Sequence, residues 1–233
     1  LWLQYNILIG QGSFKKVWKA QDLENARLIA WNEVDITHYD RKAQKRILNE
    51  VALLRSLKHK HLISFYGAWV NRETNTVVFI TELMPSGTLK TFVQQYPVRR
   101  ARLRRWCKQI LDGVAYLHSE DESVSKAPIV HRDLKCENIF ITQNNLKIGD
   151  LGLAAPMSDG NMSVMGTPQF MAPDLYDRSQ KWGTSVDIWA FGMCVIEMIM
   201  GVTPYGECRT YGRVMRKVSA GQPPAALQDL RWA

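Results

Sequence analysis

The stretch His131-Arg132-Asp133-Leu134-Lys135-Cys136-Glu137-Asn138 decides how the rest of this chain is interpreted. Asp133 is a carboxylate that can accept a proton from an alcohol, and Lys135 is a cation placed shortly after it to meet a phosphate. Asn138 and the later Asp150 offer oxygen ligands of the kind that Mg²⁺ prefers. A base, two metal ligands and a phosphate contact are the groups that phosphoryl transfer requires, although a charged loop of the same composition is the alternative.

The same stretch resembles the catalytic loop of protein kinases, H-R-D-L-K-x-x-N, and Asp150-Leu151-Gly152 resembles the D-F-G triplet that follows it. The resemblance implies an α+β, two-lobed protein kinase fold. We expect residues 1–84 to form an N-lobe with an antiparallel sheet and one helix. Residues 85–233 are expected to form a mostly helical C-lobe, incomplete at its C-terminal end. The breaker cluster Pro85-Ser86-Gly87 lies at this boundary.

Hydrophobic patterns predict the elements of both lobes. Three strands are expected within residues 1–35, and two more at 61–69 and 76–82. Helical patterns cover residues 40–57, 88–96, 102–118 and 182–200, and a hairpin is expected across 140–148. Asp187, near the start of the last helical pattern, resembles the residue that braces the catalytic loop of kinases.

The first lobe contains a glycine-rich turn, Gly10-Gln11-Gly12-Ser13-Phe14-Lys15-Lys16-Val17. Glycines at a strand turn let backbone N–H groups approach phosphates. Kinases usually have a third glycine where this chain has Lys15, and a lysine on the third strand where this chain has the neutral Asn32.

Strand geometry suggests how the missing charge is supplied. Alternate residues of a strand face the same side, so Lys15 and Val17 would face the nucleotide together with Ala30 and Asn32, while Lys16 points away. We therefore predict that Lys15 supplies the cation. The alternative is that Lys15 is a surface lysine and the protein binds nucleotide without catalysis.

This exchange is similar to the pattern of the with-no-lysine (WNK) kinases, G-x-G-x-F-K-x-V followed by A-W and then Cys or Asn. The resemblance implies a serine/threonine protein kinase that uses ATP and Mg²⁺, with Glu50 paired to Lys15. Asp133, Lys135, Lys15, Glu50 and Asp150 would be catalytic, and Asn138 and Asp150 would hold the metal. The implied ATP contacts are Gly10, Gly12, Ser13, Lys15, Val17, Ala30, Thr81, Glu82, Leu83, Met84 and Lys135.

Two regulatory sites follow from the same resemblance. The leucine in Asp150-Leu151-Gly152 accompanies an inhibitory chloride site, whose N–H groups and walls would come from Phe65, Phe79, Leu151, Gly152 and Leu153, unless Leu151 is only a core substitution. Phe79 stands where the family has leucine. Ser163 aligns with the activating phosphorylation site, with Ser158 as a second candidate, and its phosphate could pair with Arg132.

Composition narrows the remaining choices. The four cysteines form no CxxC pair, no apolar run is long enough to span a bilayer, and the opening residues do not read as a signal peptide, so a cytoplasmic protein is expected. The net charge of +8 includes a basic cluster, which is a solvated helix face, a docking site for an acidic protein or a non-specific polyanion attractor. Its members are Arg99, Arg100, Arg102, Arg104, Arg105 and Lys108.

The predicted partners are protein substrates, which by the resemblance include downstream kinases that control ion transport. No nucleic-acid module is indicated, because stacking aromatics at regular spacing are missing from the sequence. A nucleotide-binding scaffold and a small-molecule phosphotransferase are the competing functions. The segment Gly166-Thr167-Pro168 resembles a peptide-positioning loop and argues against the second of these.

Overall fold

A computed structural model describes residues 1–11, 15–37, 55–120, 128–143, 145–150, 155–156, 166–177 and 182–229. The chain divides into two compact units, Leu1–Pro85 and Ser86–Ala233. Within the described ranges, every helix is too short or too polar to cross a membrane. The antiparallel sheet of the first unit and the helices of the second confirm the expected α+β class.

The first unit is built on a five-stranded antiparallel sheet with the strand order β1-β2-β3-β5-β4. The three strands predicted within residues 1–35 are confirmed, but the fourth begins later than the predicted residue 61. There the Leu62 N–H donates to the His59 carbonyl at 3.1 Å, which closes a local turn before the strand starts. The strands are β1 (Trp2–Gln11), β2 (Lys15–Asp22), β3 (Arg27–Asp35), β4 (Phe65–Asn71) and β5 (Thr76–Glu82).

The register of β2 against β3 determines which side chains share a face. Val17 lies opposite Asn32, and Lys15 lies opposite Val34. Residues directly opposite each other in an antiparallel pair project from the same face. Lys15, Val17 and Asn32 therefore share one face, and Lys16, opposite Glu33, lies on the other.

Each face of this sheet has its own apolar cluster. The face bearing Lys16 buries Ala20, Ile29, Val78 and Ile80, with tryptophans and a tyrosine packed against them. The face bearing Lys15 buries Val77 together with Ile36, and Val34, Phe65 and Phe79 pack beside them. A sheet that is covered on both faces can hold polar side chains at fixed positions between apolar neighbours.

The second unit contains four α-helices among its described residues, with short strands between them. The predicted helix at 102–118 begins two residues earlier, and the one predicted at 182–200 begins at Ser185; the last helix was not predicted. Strand β6 pairs with β9, and β7 pairs with β8 as the predicted hairpin. The elements are α1 (Leu89–Gln95), α2 (Arg100–His118), β6 (Ile129–Val130), β7 (Ile139–Thr142), β8 (Asn145–Ile148), β9 (Ala155–Pro156), α3 (Ser185–Met200) and α4 (Tyr211–Ser219).

Helix α3 is mostly apolar but carries two buried carboxylates, Asp187 and Glu197, each 1% exposed. It ends at Gly201, whose φ of 69° is left-handed. A Cβ atom there would lie 3.0 Å from the carbonyl oxygen of Val93 on α1, so glycine serves both the helix end and the close packing of α1. Asp187 faces the segment that carries the catalytic motif, which makes α3 the support of the site.

Candidate active site

The segment from His131 to Asn138 connects β6 to β7 and ends in a short 3₁₀ turn, Cys136–Asn138. Its first two backbone N–H groups donate to the buried Asp187 carboxylate, His131 at 2.8 Å and Arg132 at 3.0 Å. Arg132 has a φ of 66°, a conformation that non-glycine residues rarely adopt. The carboxylate of Asp187 therefore holds the loop in a strained turn, which is the bracing role expected from the sequence.

A second support of the same carboxylate was missed in the sequence. His118, at the end of α2, places Nε2 2.8 Å from Oδ2 of Asp187. Asp187 thus meets N–H groups from the catalytic loop and an imidazole nitrogen from another helix. The two residues are 69 positions apart, and a contact that distant leaves no local signal in the sequence.

The Asp133 side chain is the centre of the polar network. Its Oδ1 accepts hydrogen bonds from the backbone N–H of Thr167 at 3.0 Å and from the Thr167 hydroxyl at 2.7 Å. Its Oδ2 accepts from Asn138 Nδ2 at 3.0 Å and lies 3.1 Å from Lys135 Nζ. Four donors hold the carboxylate in one orientation, with its side chain only 12% exposed.

Lys135 and Thr167 complete this network. Lys135 Nζ donates to the Thr167 hydroxyl at 2.7 Å and also contacts Asp133. Thr167 is positioned by Gly166, whose φ is 134° and where a Cβ atom would lie only 2.6 Å from the carbonyl oxygen of Arg132. Only glycine allows this approach, so the segment carrying Thr167 is held against the catalytic loop. The contact of Thr167 with Asp133 was not predicted.

Asn138 and Asp150 are brought together by the β7–β8 hairpin. The N–H of Gly149 donates to the Asn138 carbonyl at 2.8 Å, which places Asp150, the next residue, beside Asn138. Both hydrogens of the Asn138 amide are used, on the backbone oxygen of Asp133 at 2.9 Å and on its Oδ2. The amide oxygen of Asn138 and the exposed Asp150 carboxylate are the candidate oxygen ligands. This oxygen donor set fits Mg²⁺.

Cys136 lies within the catalytic segment but is not a nucleophile. Burial raises the pKa of its thiol well above the ordinary value, and the neighbouring Cys194 and Glu197 raise it further. Its Sγ donates to the Cys194 carbonyl at 3.8 Å. A protonated, enclosed thiol has little reactivity, and Asp133 is the candidate acid–base group of this segment.

In the first unit, the amide nitrogen of Asn32 is hydrogen-bonded within the sheet. Its Nδ2 donates to the Ala30 carbonyl and the Phe79 carbonyl, both at 3.2 Å, and to the Thr81 hydroxyl at 3.1 Å. The side chain is neutral and buried, so it brings no positive charge to this face of the sheet. Two partly buried lysines of β2 lie on the same face, Lys15 opposite Val34 and Lys19 opposite Ala30.

The remaining predicted nucleotide contacts lie at the end of β5. The Glu82 N–H donates to the Ser64 carbonyl at 2.9 Å, so this backbone donor is used within the first unit. Leu83 and Met84 are partly buried beyond it. Phe65 and Phe79, the predicted chloride-site walls, stack with ring centroids 6.4 Å apart.

Several predicted residues lie outside the described part of the chain. They comprise two residues of the glycine-rich turn, the glutamate predicted to pair with Lys15, the leucine–glycine–leucine run after Asp150 and both candidate phosphorylation sites. Of the helix predicted at 40–57, only the last residues fall within the described ranges, and Arg55 and Ser56 are helical. The predicted site residues concerned are Gly12, Ser13, Glu50, Leu151, Gly152, Leu153, Ser158 and Ser163.

Comparison with known proteins gives one consistent result. Serine/threonine-protein kinase WNK3 of Mus musculus is 42% identical over 234 residues, covering 98% of this chain and 13% of that protein. Serine/threonine-protein kinase WNK4 of Homo sapiens is 41% identical over 236 residues, covering 99% of this chain and 18% of that protein. The probable serine/threonine-protein kinase WNK6 of Oryza sativa subsp. japonica is 41% identical over 239 residues, covering 100% of this chain and 53% of that protein.

The chain therefore spans about half or less of the length of these relatives. The family model of the protein kinase domain matches residues 3–225, nearly the whole chain, and the loop that binds Asp187 lies inside this match. On these grounds the chain belongs to the protein kinase domain family and, within it, is similar to the WNK kinases.

Proposed function

We propose that this chain is the catalytic domain of a WNK-type serine/threonine protein kinase, which transfers the γ-phosphoryl group of ATP to hydroxyl groups of protein substrates. The observation that carries the proposal is the Asp133 carboxylate, held by Lys135, Asn138 and Thr167 within a kinase catalytic motif. A scaffold that only binds nucleotide has no need of a base held in this way.

The network assigns a role to each side chain. Asp133 orients the substrate hydroxyl and accepts its proton as the new O–P bond forms. Lys135 is close enough to Asp133 to place positive charge beside the transferred phosphoryl group, and Thr167 keeps the carboxylate from rotating. The lysine at position 135 favours serine and threonine substrates, because tyrosine kinases carry an arginine-containing variant of this segment.

Mg²⁺ would be held by the amide oxygen of Asn138 and the carboxylate of Asp150. When bound, the metal supplies positive charge that neutralises the phosphate oxygens. The hydrogen bonds from Asn138 to Asp133 fix the rotation of the amide, so the same side chain that binds the metal also orients the base.

Lys15 is proposed to replace the missing third-strand lysine, with Glu50 as its orienting partner. Two observations support this assignment. Lys15 shares a sheet face with Val17, Ala30 and Asn32, and the Asn32 amide is occupied by acceptors within the sheet. A cation on this face would stabilise the charge that develops on the nucleotide phosphates.

The proposed activity predicts label transfer from γ-labelled ATP, and none from α-labelled ATP, onto the chain itself and onto casein. Phosphoamino-acid analysis is expected to find phosphoserine and phosphothreonine. Chelation by EDTA should stop the transfer, and added Mg²⁺ should restore it, because Asn138 and Asp150 act through the metal. A full chain that binds ATP but incorporates no label with Mg²⁺ present would favour the scaffold instead.

Inhibition by chloride is the second part of the proposal, with Phe65, Phe79 and the N–H groups of Leu151, Gly152 and Leu153 as the site. The stacked Phe65 and Phe79 rings supply two adjacent apolar walls. Autophosphorylation is expected to fall as chloride replaces gluconate at constant ionic strength. If the rate of autophosphorylation stays constant across the series, chloride is not an inhibitor.

Regulation and partners complete the proposal. Phosphorylation of Ser163 would activate the enzyme, since a phosphate bearing about two negative charges attracts an arginine such as Arg132. Substrates would include downstream kinases that act on ion transport, in the cytoplasm, as expected for reduced cysteines. Mass spectrometry of the autophosphorylated chain would locate the modified serine.

A further inference from the structure

The basic cluster at the start of α2 is not used by the proposed function. Six of the ten residues from 99 to 108 are arginine or lysine, and none is acidic. All six are exposed, and Arg102 also places its guanidinium 5.5 Å from the rings of both Phe92 and Trp106. The members without such a ring contact are Arg99, Arg100, Arg104, Arg105 and Lys108.

Three of these cations form a line along the helix. Arg100, Arg104 and Lys108 follow one another at i, i+4 spacing, which puts successive side chains on one face about 6 Å apart along the axis. We call this line the arginine stripe. Like charges at this spacing repel one another, so the arrangement is unfavourable for the helix by itself.

The helix dipole adds to this repulsion. Arg99 is the N-cap residue and makes no side-chain capping bond, and the first turn contains no acidic residue. Cations at a helix N-terminus oppose the macrodipole, whereas anions there are stabilised. The sequence has therefore placed positive charge where the helix itself would favour negative charge.

Among the described residues, only one carboxylate forms an ion pair with a cation of the stripe. Asp112 binds Lys108, with Oδ2 2.9 Å from Nζ. No described carboxylate forms an ion pair with Arg100, Arg104 or Arg105. The N-terminal two thirds of the stripe thus present guanidinium groups, which bind carboxylates through two parallel hydrogen bonds.

The spacing of the stripe indicates what it fits. In an extended peptide, alternate residues project to the same side about 6.6 Å apart, close to the rise of one i, i+4 step of the helix. Acidic side chains at every second position would meet successive cations of the stripe. Single-stranded nucleic acid fits less well, since binding it relies on a series of exposed stacking rings. Trp106 is only 3% exposed, and Tyr96, 56% exposed just before the stripe, is one ring and not a series.

We propose that the arginine stripe of Arg100, Arg104 and Lys108, flanked by Arg105, is a docking surface for an extended acidic protein segment with Asp or Glu at alternate positions. The inference does not rest on the proposed kinase activity, since it concerns charge and spacing on α2 alone. It gives the acidic-partner interpretation of the basic cluster a defined surface and a defined ligand.

The test measures binding of a fluorescent peptide of about ten residues that alternates glutamate and glutamine, matched by an all-glutamine peptide. It uses the full chain, at ~0.1 M salt, where the Debye length is about 10 Å. The double variant Arg100→Gln/Arg104→Gln is compared with Arg213→Gln/Arg216→Gln, which removes the same charge from two exposed arginines of α4. We expect the first pair to weaken binding about fivefold to tenfold and the second less than about twofold.

Thermal unfolding shows whether a loss of binding comes from a loss of folding. Because the substitutions remove repulsive charge from α2, the stripe variant should be at least as stable as wild type. If both double variants weakened peptide binding equally, binding would depend only on net charge, and the proposal would be overturned. An absence of peptide binding in the wild type would also overturn it. Stripe-dependent binding of phosphatidylserine vesicles or oligothymidylate, without stripe-dependent binding of the peptide, would assign the surface to a different partner and overturn it as well.

Discussion

Replacing Asp133 by asparagine is expected to lower kcat by about 10²–10⁴ while the fold remains intact. The substitution preserves the shape of the side chain but removes the carboxylate that we propose accepts the substrate proton. In the wild type, donors of Thr167, Asn138 and Lys135 bind the Asp133 carboxylate. Asparagine would place its own amide N–H groups against some of these donors. Initial rates of label transfer from γ-labelled ATP, measured at saturating ATP, would give the change in kcat.

Asp112→Asn is the matched control for this substitution. It makes the same chemical change on α2, where the carboxylate binds Lys108 at the surface. Its rate should stay within about twofold of wild type, since an exposed ion pair of this kind contributes well under ~1 kcal/mol. An Asp133→Asn enzyme that kept wild-type kcat would show that a different residue is the base.

The second large effect is expected from Asp187→Asn. This carboxylate is 1% exposed and accepts hydrogen bonds from the backbone N–H groups of His131 and Arg132, with His118 Nε2 also 2.8 Å away. An asparagine in its place directs an amide N–H at one of those donors. The free energy of unfolding should fall by about 2–4 kcal/mol, because a buried donor loses its acceptor.

Catalysis should decline in the same variant. Without two acceptor oxygens, the left-handed turn at Arg132 is no longer held, and Asp133 moves with it. A shift of this kind in a catalytic group lowers kcat by about tenfold or more. His118→Phe leaves both backbone bonds in place, so its cost should be only about 1 kcal/mol. Urea unfolding measures both variants, and equal costs would contradict the dominant role assigned to the backbone bonds.

The catalytic segment could be identified from sequence because its chemistry is local. Asp133, Lys135 and Asn138 lie within six consecutive residues, so residue type and spacing were enough to predict the site. The groups that hold them are not local. Thr167 reaches Asp133 across 34 positions, and His118 reaches Asp187 across 69. Asp187 itself was anticipated only through resemblance to known kinases.

In the sheet, the face of each strand residue could be predicted from sequence, but the register between strands could not. A period of two was enough to predict that Lys15 and Asn32 share a face. It could not predict that Val17 directly opposes Asn32, because register depends on the turn between β2 and β3. That turn is held by Asp22, which accepts from Asn25 Nδ2 at 2.8 Å and from Arg27 Nε at 3.0 Å.

Two kinds of element were missed for different reasons. The strands β6 and β9 contain two residues each, too few to show any periodicity. Helix α4 did carry a signal, since its buried Val214 and Val218 stand four residues apart, but its nine residues are shorter than a pattern search favours. Short elements like these form because the surrounding unit covers them, which sequence periodicity cannot report.

We propose that this is an active kinase whose phosphate-directed cation comes from β2 instead of β3. Comparing label transfer by the wild type, Lys15→Met and Lys16→Met tests it most directly. The two lysines are adjacent in the chain but lie on opposite faces of the sheet. We expect Lys15→Met to lose about 10²-fold or more in rate, while Lys16→Met stays within about threefold of wild type. Wild-type activity in Lys15→Met would contradict this proposal.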